Sequence, residues 1–152
     1  MKPTLTAEPS SAYTPSRLAS VISLLSESTD TAGSPLLEEF VGIALRMLET
    51  SADSNECLEL IAELAEVERK QLVALPYSML PLLKESIETA RRNPATDPRD
   101  LIYPLLSLNL REPSPALELE ATTIIRTCHR NALRDPSSLR DRQIAHDYID
   151  YL

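Results

Sequence analysis

Apolar residues recur at steps of three and four through most of the chain, which is the period of a helix with one buried face rather than of a strand. Leu18, Val21, Ile22 and Leu25 form one stripe, and Leu36, Leu37, Phe40, Val41, Ala44 and Leu48 form the next. Leu58, Ile61, Ala62, Leu64 and Ala65 follow, then Leu80, Leu83, Ile87 and Ala90. The longest pattern predicts a helix from Pro115 to about Leu133, with Leu117, Ala121, Ile124, Ile125, Cys128 and Ala132 on its core face. A last helix carries Ile144, Tyr148 and Leu152. Between Leu101 and Leu110 a short or kinked helix is expected, because Pro104 deep in a helix would clash with the carbonyl four residues back.

Start signals punctuate these stripes. Thr14-Pro15, Ser34-Pro35, Asp97-Pro98, Ser114-Pro115 and Asp135-Pro136 each place a capping oxygen before a proline, and Asp53 with Glu56 makes a capping-box-like start. With a further start near Pro76, a helix begins about every 20 residues, and alternate starts lie about 40 apart. The predicted fold is all-α, with six or seven antiparallel helices in one domain over 14–152 behind a disordered tail over 1–13.

A unit of two helices and about 40 residues is the repeat length of HEAT and armadillo solenoids. Cys57 to Val67 (CLELIAELAEV), then Leu75 to Glu85 (LPYSMLPLLKE), then Asp97-Pro98-Arg99 resemble importin-β-type HEAT repeats over about 55–108. The Val-Arg pair that often follows the turn in such repeats is replaced by Asp100-Leu101. The resemblance implies a short right-handed solenoid that serves as an interaction scaffold, and it carries no catalytic residues. The alternative arrangement is an irregular helical bundle.

Composition narrows the chemistry. There are only two glycines, Gly33 and Gly42, against twelve prolines, too few for a phosphate-cradling loop or a set of primed hairpin turns. Cys57 and Cys128 read as reduced thiols, and with no apolar leader at the N-terminus a cytoplasmic protein is expected, a nuclear or exported one being the other options. No stretch is long and apolar enough to suggest a membrane span.

The net charge of −8 is uneven, with 5 basic against 12 acidic residues in 1–76 and 10 against 11 in 77–152. Nucleic acid is therefore an unfavoured partner. Glu56, Glu59, Glu63 and Glu66 share one helix face and are expected to be solvated, with Glu66 and Lys70 as an i,i+4 pair. No Glu-x-x-His unit or zinc spacing accompanies them, so no metal and no cofactor is expected. Cys128 falls on an apolar stripe and its neighbour His129 points about 100° away, a poor nucleophile and base pair. His146 beside Asp147 reads as a cap or an ion pair.

The late arginines are the candidate binding residues. Arg126, Arg130 and Arg134 make one stripe at i, i+4 and i+8, Arg140 and Arg142 flank the next start, and Tyr148 is a candidate interface anchor. The reading from sequence is a non-catalytic protein-interaction module, an adaptor or subunit whose partner is a protein or peptide with acidic side chains. The alternative is a secreted bacterial effector, or its regulator, that acts by binding a protein.

Overall fold

Capping oxygens and prolines start the first helices where the pattern placed them. Thr14 Oγ1 accepts from the amide of Arg17 at 3.1 Å, and Ser34 Oγ accepts from the amide of Leu37 at 3.3 Å. The computed structural model describes residues 13–28, 34–50 and 57–152. Those residues form seven α-helices and two 3-10 turns, with no strand among them. The helices are α1 (Pro15–Glu27), α2 (Pro35–Thr50), α3 (Leu58–Arg69), α4 (Leu80–Arg92), α5 (Ile102–Arg111), α6 (Pro115–Arg134) and α7 (Leu139–Asp147). The 3-10 turns are Pro98–Leu101 and Ile149–Tyr151. The expected tail lies outside the described residues up to position 12, as does the Asp53 and Glu56 capping pair.

Two compact units divide the chain, Met1–Asn93 and Pro94–Leu152. In the first unit α1 packs against both α2 and α3, and α3 packs against α4. The helices are thus not stacked simply in chain order, because the third lies on the first.

Helix α3 is the centre of the first unit. Leu58, Leu60, Ile61, Ala62, Leu64, Ala65 and Val67 are all buried, so apolar residues point in every direction from its axis. The expected solvated glutamate face is corrected here, since Glu63 and Glu66 are only 8% and 7% exposed. Glu59 stays exposed, and Glu56 is not among the described residues. Glu66 takes a bidentate bond from Arg69, one turn on, at 2.8 Å from Nη2 and 3.2 Å from Nε, rather than pairing with Lys70. Arg reaches around the carboxylate with two parallel N–H groups, which a lysine cannot do.

The end of α3 is closed by a reversal of the backbone. Gln71 has φ 59°, its amide bonds the carbonyl of Glu68 at 3.0 Å, and the Leu72 amide bonds that of Val67 at 3.2 Å. This is the Schellman arrangement, and it carries Leu72 back into the core. Helix α4 then starts at Leu80 rather than near Pro76. Pro81 explains the delay: in a helix begun at 76 it would face the carbonyl of Tyr77, whereas from Leu80 it falls in the first turn. The carboxylate of Glu68 receives the Met79 amide at 3.2 Å and closes the connection.

In the second unit α6 is central, with α5 on one flank, α7 on another and the Pro98–Leu101 turn beside it. Ile102, Ile125, Cys128 and Ile144 form one core cluster, extended by Leu106, Ile124, Tyr148 and Tyr151, and Leu101, Leu105, Leu108 and Ala121 are also buried. The Pro98–Leu101 turn runs into α5, so Pro104 is third in that helix, in the first turn, where an N–H has no intrahelical partner to lose. At the other end of α5, the side chain of Asn109 accepts the Ser114 amide at 2.8 Å and turns the chain into α6. The Asp135-Pro136 signal makes a turn instead of a helix: Asp135 Oδ1 accepts the Ser137 amide at 3.2 Å, and α7 begins at Leu139. Leu36 and Leu152, expected in apolar stripes, are exposed at the ends of their segments.

Two substitutions test this description. Gln71→Gly relieves the left-handed backbone and should raise stability by roughly 1 kcal/mol, read from urea unfolding. Thr96 Oγ1 is buried without a hydrogen-bond partner, so Thr96→Val should leave stability unchanged or raise it by about 1 kcal/mol. A clear loss of stability in either variant contradicts the backbone reversal at Gln71 or the unmatched hydroxyl at Thr96, respectively.

Candidate functional site

The charged residues of the second unit converge on Arg99. Asp97 caps the Pro98–Leu101 turn by accepting the Arg99 amide at 3.0 Å, and its carboxylate also takes Arg99 Nε at 3.1 Å and Nη2 at 2.7 Å. The same guanidinium reaches across to α7, where Nη1 lies 3.2 Å from Asp141 Oδ1. Asp141 is buried, and its other oxygen accepts Ser138 Oγ at 2.8 Å. Arg140 closes the outside of the network with Nη1 3.1 Å from Asp97 Oδ2 and Nη2 on Asp100.

The Asp97–Arg99 hydrogen bonds hold the Asp97 carboxyl below its usual range, with Arg140 adding to the effect. The Ser138 hydroxyl does most to lower Asp141, helped by Cys128 and Arg99. Arg99 is driven further into its charged form by Asp97 and Asp141. Burial pushes the Cys128 thiol up to about 11, and its hydrogen bond to the Asp141 carboxylate pushes in the same direction. A thiol of that kind stays protonated at neutral pH and is a poor nucleophile.

Beside this network lies a cleft of about 430 Å³, lined by Asp97, Pro98 and Arg99 on one side and by Thr123, Ile124, Thr127, Cys128 and Asn131 of α6 on the other, with Asp141 at its end. Among the described residues no three His, Cys, Asp or Glu side chains are placed to hold a metal ion.

The predicted arginine cluster separates into two parts. Arg140 belongs to the ion network. Arg126, Arg130, Arg134 and Arg142 are exposed and form no ion pair with the described residues, Arg130 making one long contact to Thr127 Oγ1 at 3.4 Å. Tyr148, the candidate anchor, is a half-buried ring packed on the Ile102, Ile125, Cys128 and Ile144 cluster and edge-on to Tyr151, with centroids 6.2 Å apart. His146 is exposed, with Nδ1 3.4 Å from Asp147 Oδ1. Sequence reasoning does not single out Asp97, Arg99 and Asp141 as a site. Only the capping role of Asp97 is visible there, because Arg99 and Asp141 lie 42 residues apart.

Because Asp97 and Asp141 titrate below the ordinary carboxylate value, the folded state binds fewer protons than the unfolded chain in the acid range. Their contribution to stability is complete above about pH 4 and drains away as pH falls through the depressed folded values. Asp97→Asn/Asp141→Asn should therefore cost about 1–3 kcal/mol at pH 7 and flatten the acid limb of a melting-temperature profile taken from pH 7 to 2. An acid limb as steep as that of the unaltered chain counts against the network. No protein-family model, curated protein or solved structure matches the chain.

Proposed function

We propose that the protein is a non-catalytic interaction module and that the outward face of α6 docks an amphipathic helix carrying acidic side chains. One observation carries the proposal: four arginines, Arg126, Arg130, Arg134 and Arg142, stand exposed without ion pairs to the described residues, in a chain of net charge −8. Three such guanidinium forks in a row on α6, with Arg142 on α7, in a protein rich in acids of its own, are a surface for carboxylates from elsewhere.

Apolar side chains bracket that row. Leu119 and Leu133 are 63% and 70% exposed. Leu119, Arg126 and Leu133 recur every seven residues and so follow nearly one line along the helix, with Arg130 one turn from Arg126 on the adjoining line. A partner helix with leucines at its ends and glutamates between them complements this order of groups. The absence of a catalytic role is supported by the protonated, buried Cys128 and by the engagement of Asp97 and Asp141 in ion pairs.

The scaffold reading suggested by HEAT-like texture is supported in the first unit by α1 packing on both α2 and α3 and α3 on α4, the order in which stacked hairpins pair. No helix among the described residues is long and apolar enough to cross a membrane, and a reducing compartment accords with two free, buried cysteines.

The test is charge reversal on residues that carry no structural load. Arg126→Glu/Arg130→Glu/Arg134→Glu should leave the far-ultraviolet spectrum and melting temperature nearly unchanged while abolishing affinity capture of the partner recovered with the unaltered chain. Leu119→Ser/Leu133→Ser should weaken the same capture at least about tenfold. Recovery of the same partner at equal yield by both variants rejects this face as the docking surface.

A further inference from the structure

The cleft beside α6 contains hydrogen-bonding groups that the fold leaves unused. Its volume of about 430 Å³ falls in the range of sites that enclose small ligands. The charged groups around it are already matched, since the Asp97 and Asp141 carboxylates meet the Arg99 and Arg140 guanidiniums. Asp100, the remaining acid of the network, is exposed and is not part of the lining. Within the lining itself neither a cation nor an anion finds a free opposite charge, and Arg130 touches it only through Thr127 Oγ1 at 3.4 Å.

What remains is polar and uncharged. The side-chain amide of Asn131 and the hydroxyl of Thr123 line the cleft on exposed residues, and neither is hydrogen-bonded to any described residue, so a ligand there replaces water on both. They lie eight residues apart on one side of α6, about 12 Å along its axis. Thr127 stands between them, its hydroxyl donating to the Thr123 carbonyl at 2.9 Å. Ile124 and Pro98 give the cleft an apolar side.

We propose that this cleft binds an uncharged ligand that presents a carboxamide or peptide bond next to a small apolar group. The Asn131 amide offers an N–H donor and a carbonyl acceptor side by side, and a second amide returns both bonds at once. A carboxylate has no donor for Asn131 Oδ1, and an ammonium has no acceptor for its NH₂ group. The apolar part of the ligand rests against Ile124 and Pro98. Arg130 of the arginine row meets this site only at Thr127 Oγ1, and the Asn131 variants below leave every arginine in place, so the two proposals are tested separately.

N-acetyl-leucinamide is a minimal probe, carrying two amides and one aliphatic side chain and no charge. Titrated into the ¹⁵N-labelled full chain, it should produce saturable shifts confined to the Asn131 side-chain NH₂ and to the amides around Thr123, Ile124 and Thr127. Asn131→Ala, which removes no intramolecular bond, should weaken binding about tenfold, the effect of losing a paired hydrogen bond. Asn131→Asp keeps the shape but not the donor and should do the same, so the test survives if either variant folds poorly. N-acetyl-leucine and leucinamide, the singly charged analogues, should bind at least about tenfold more weakly. Absence of saturable shifts, shifts centred elsewhere, indifference to both variants, or equal binding of the charged analogues would each overturn the proposal.

Discussion

The second unit depends on a single guanidinium. Arg99 stands on a 3-10 turn at the start of the unit and is gripped by Asp97 beside it and by Asp141 from the last α-helix. Beneath it Ile102, Ile125, Cys128 and Ile144 form one apolar cluster, and Leu101, Leu105, Leu108 and Ala121 are buried in the same unit. Apolar burial is non-directional, so an interaction with fixed geometry is what sets where α7 lies against the turn. Asp141 also receives the Ser138 hydroxyl and the Cys128 thiol, which joins α6 and the start of α7 to the same anchor. The cleft lies between that turn and α6, with Asp141 of the network at its end.

The first unit solves the same problem with apolar surface. Ala62 and Ala65 leave little bulk on α3, which allows close approach of neighbouring helices, while Leu60, Ile61 and Leu64 fill the space around them. Its buried carboxylates sit toward the C-terminal part of α3, and Arg69 in the last turn neutralises Glu66 where the helix dipole also favours a cation.

The helices are legible in the sequence because their signals are local. A cap oxygen, a proline and a three-four apolar period act within one or two turns, and they place the span of α6 to within a residue at its end. They mislead where two local signals compete, as at Pro76 and Pro81, or where a capping pair forms a turn instead, as at Asp135. The glutamates of α3 defeat the pattern because amphipathicity assumes one wet face, and a helix enclosed by neighbours has none. The ion network is illegible for a different reason: Asp97 and Asp141 are ordinary acids until the fold brings them to one arginine. The exposed stripe on α6, by contrast, follows from helical spacing alone, although which of the late arginines are engaged does not.

The position of α3 also has a bearing on how the chain is made. Its contacts run backward to α1 and forward to α4, so α1 leaves a ribosome well before the helix that covers part of its apolar side. Until α3 has emerged, α1 presents some of its apolar surface to the surroundings, a period in which a nascent polypeptide is open to chaperone capture or to mispairing with its neighbours.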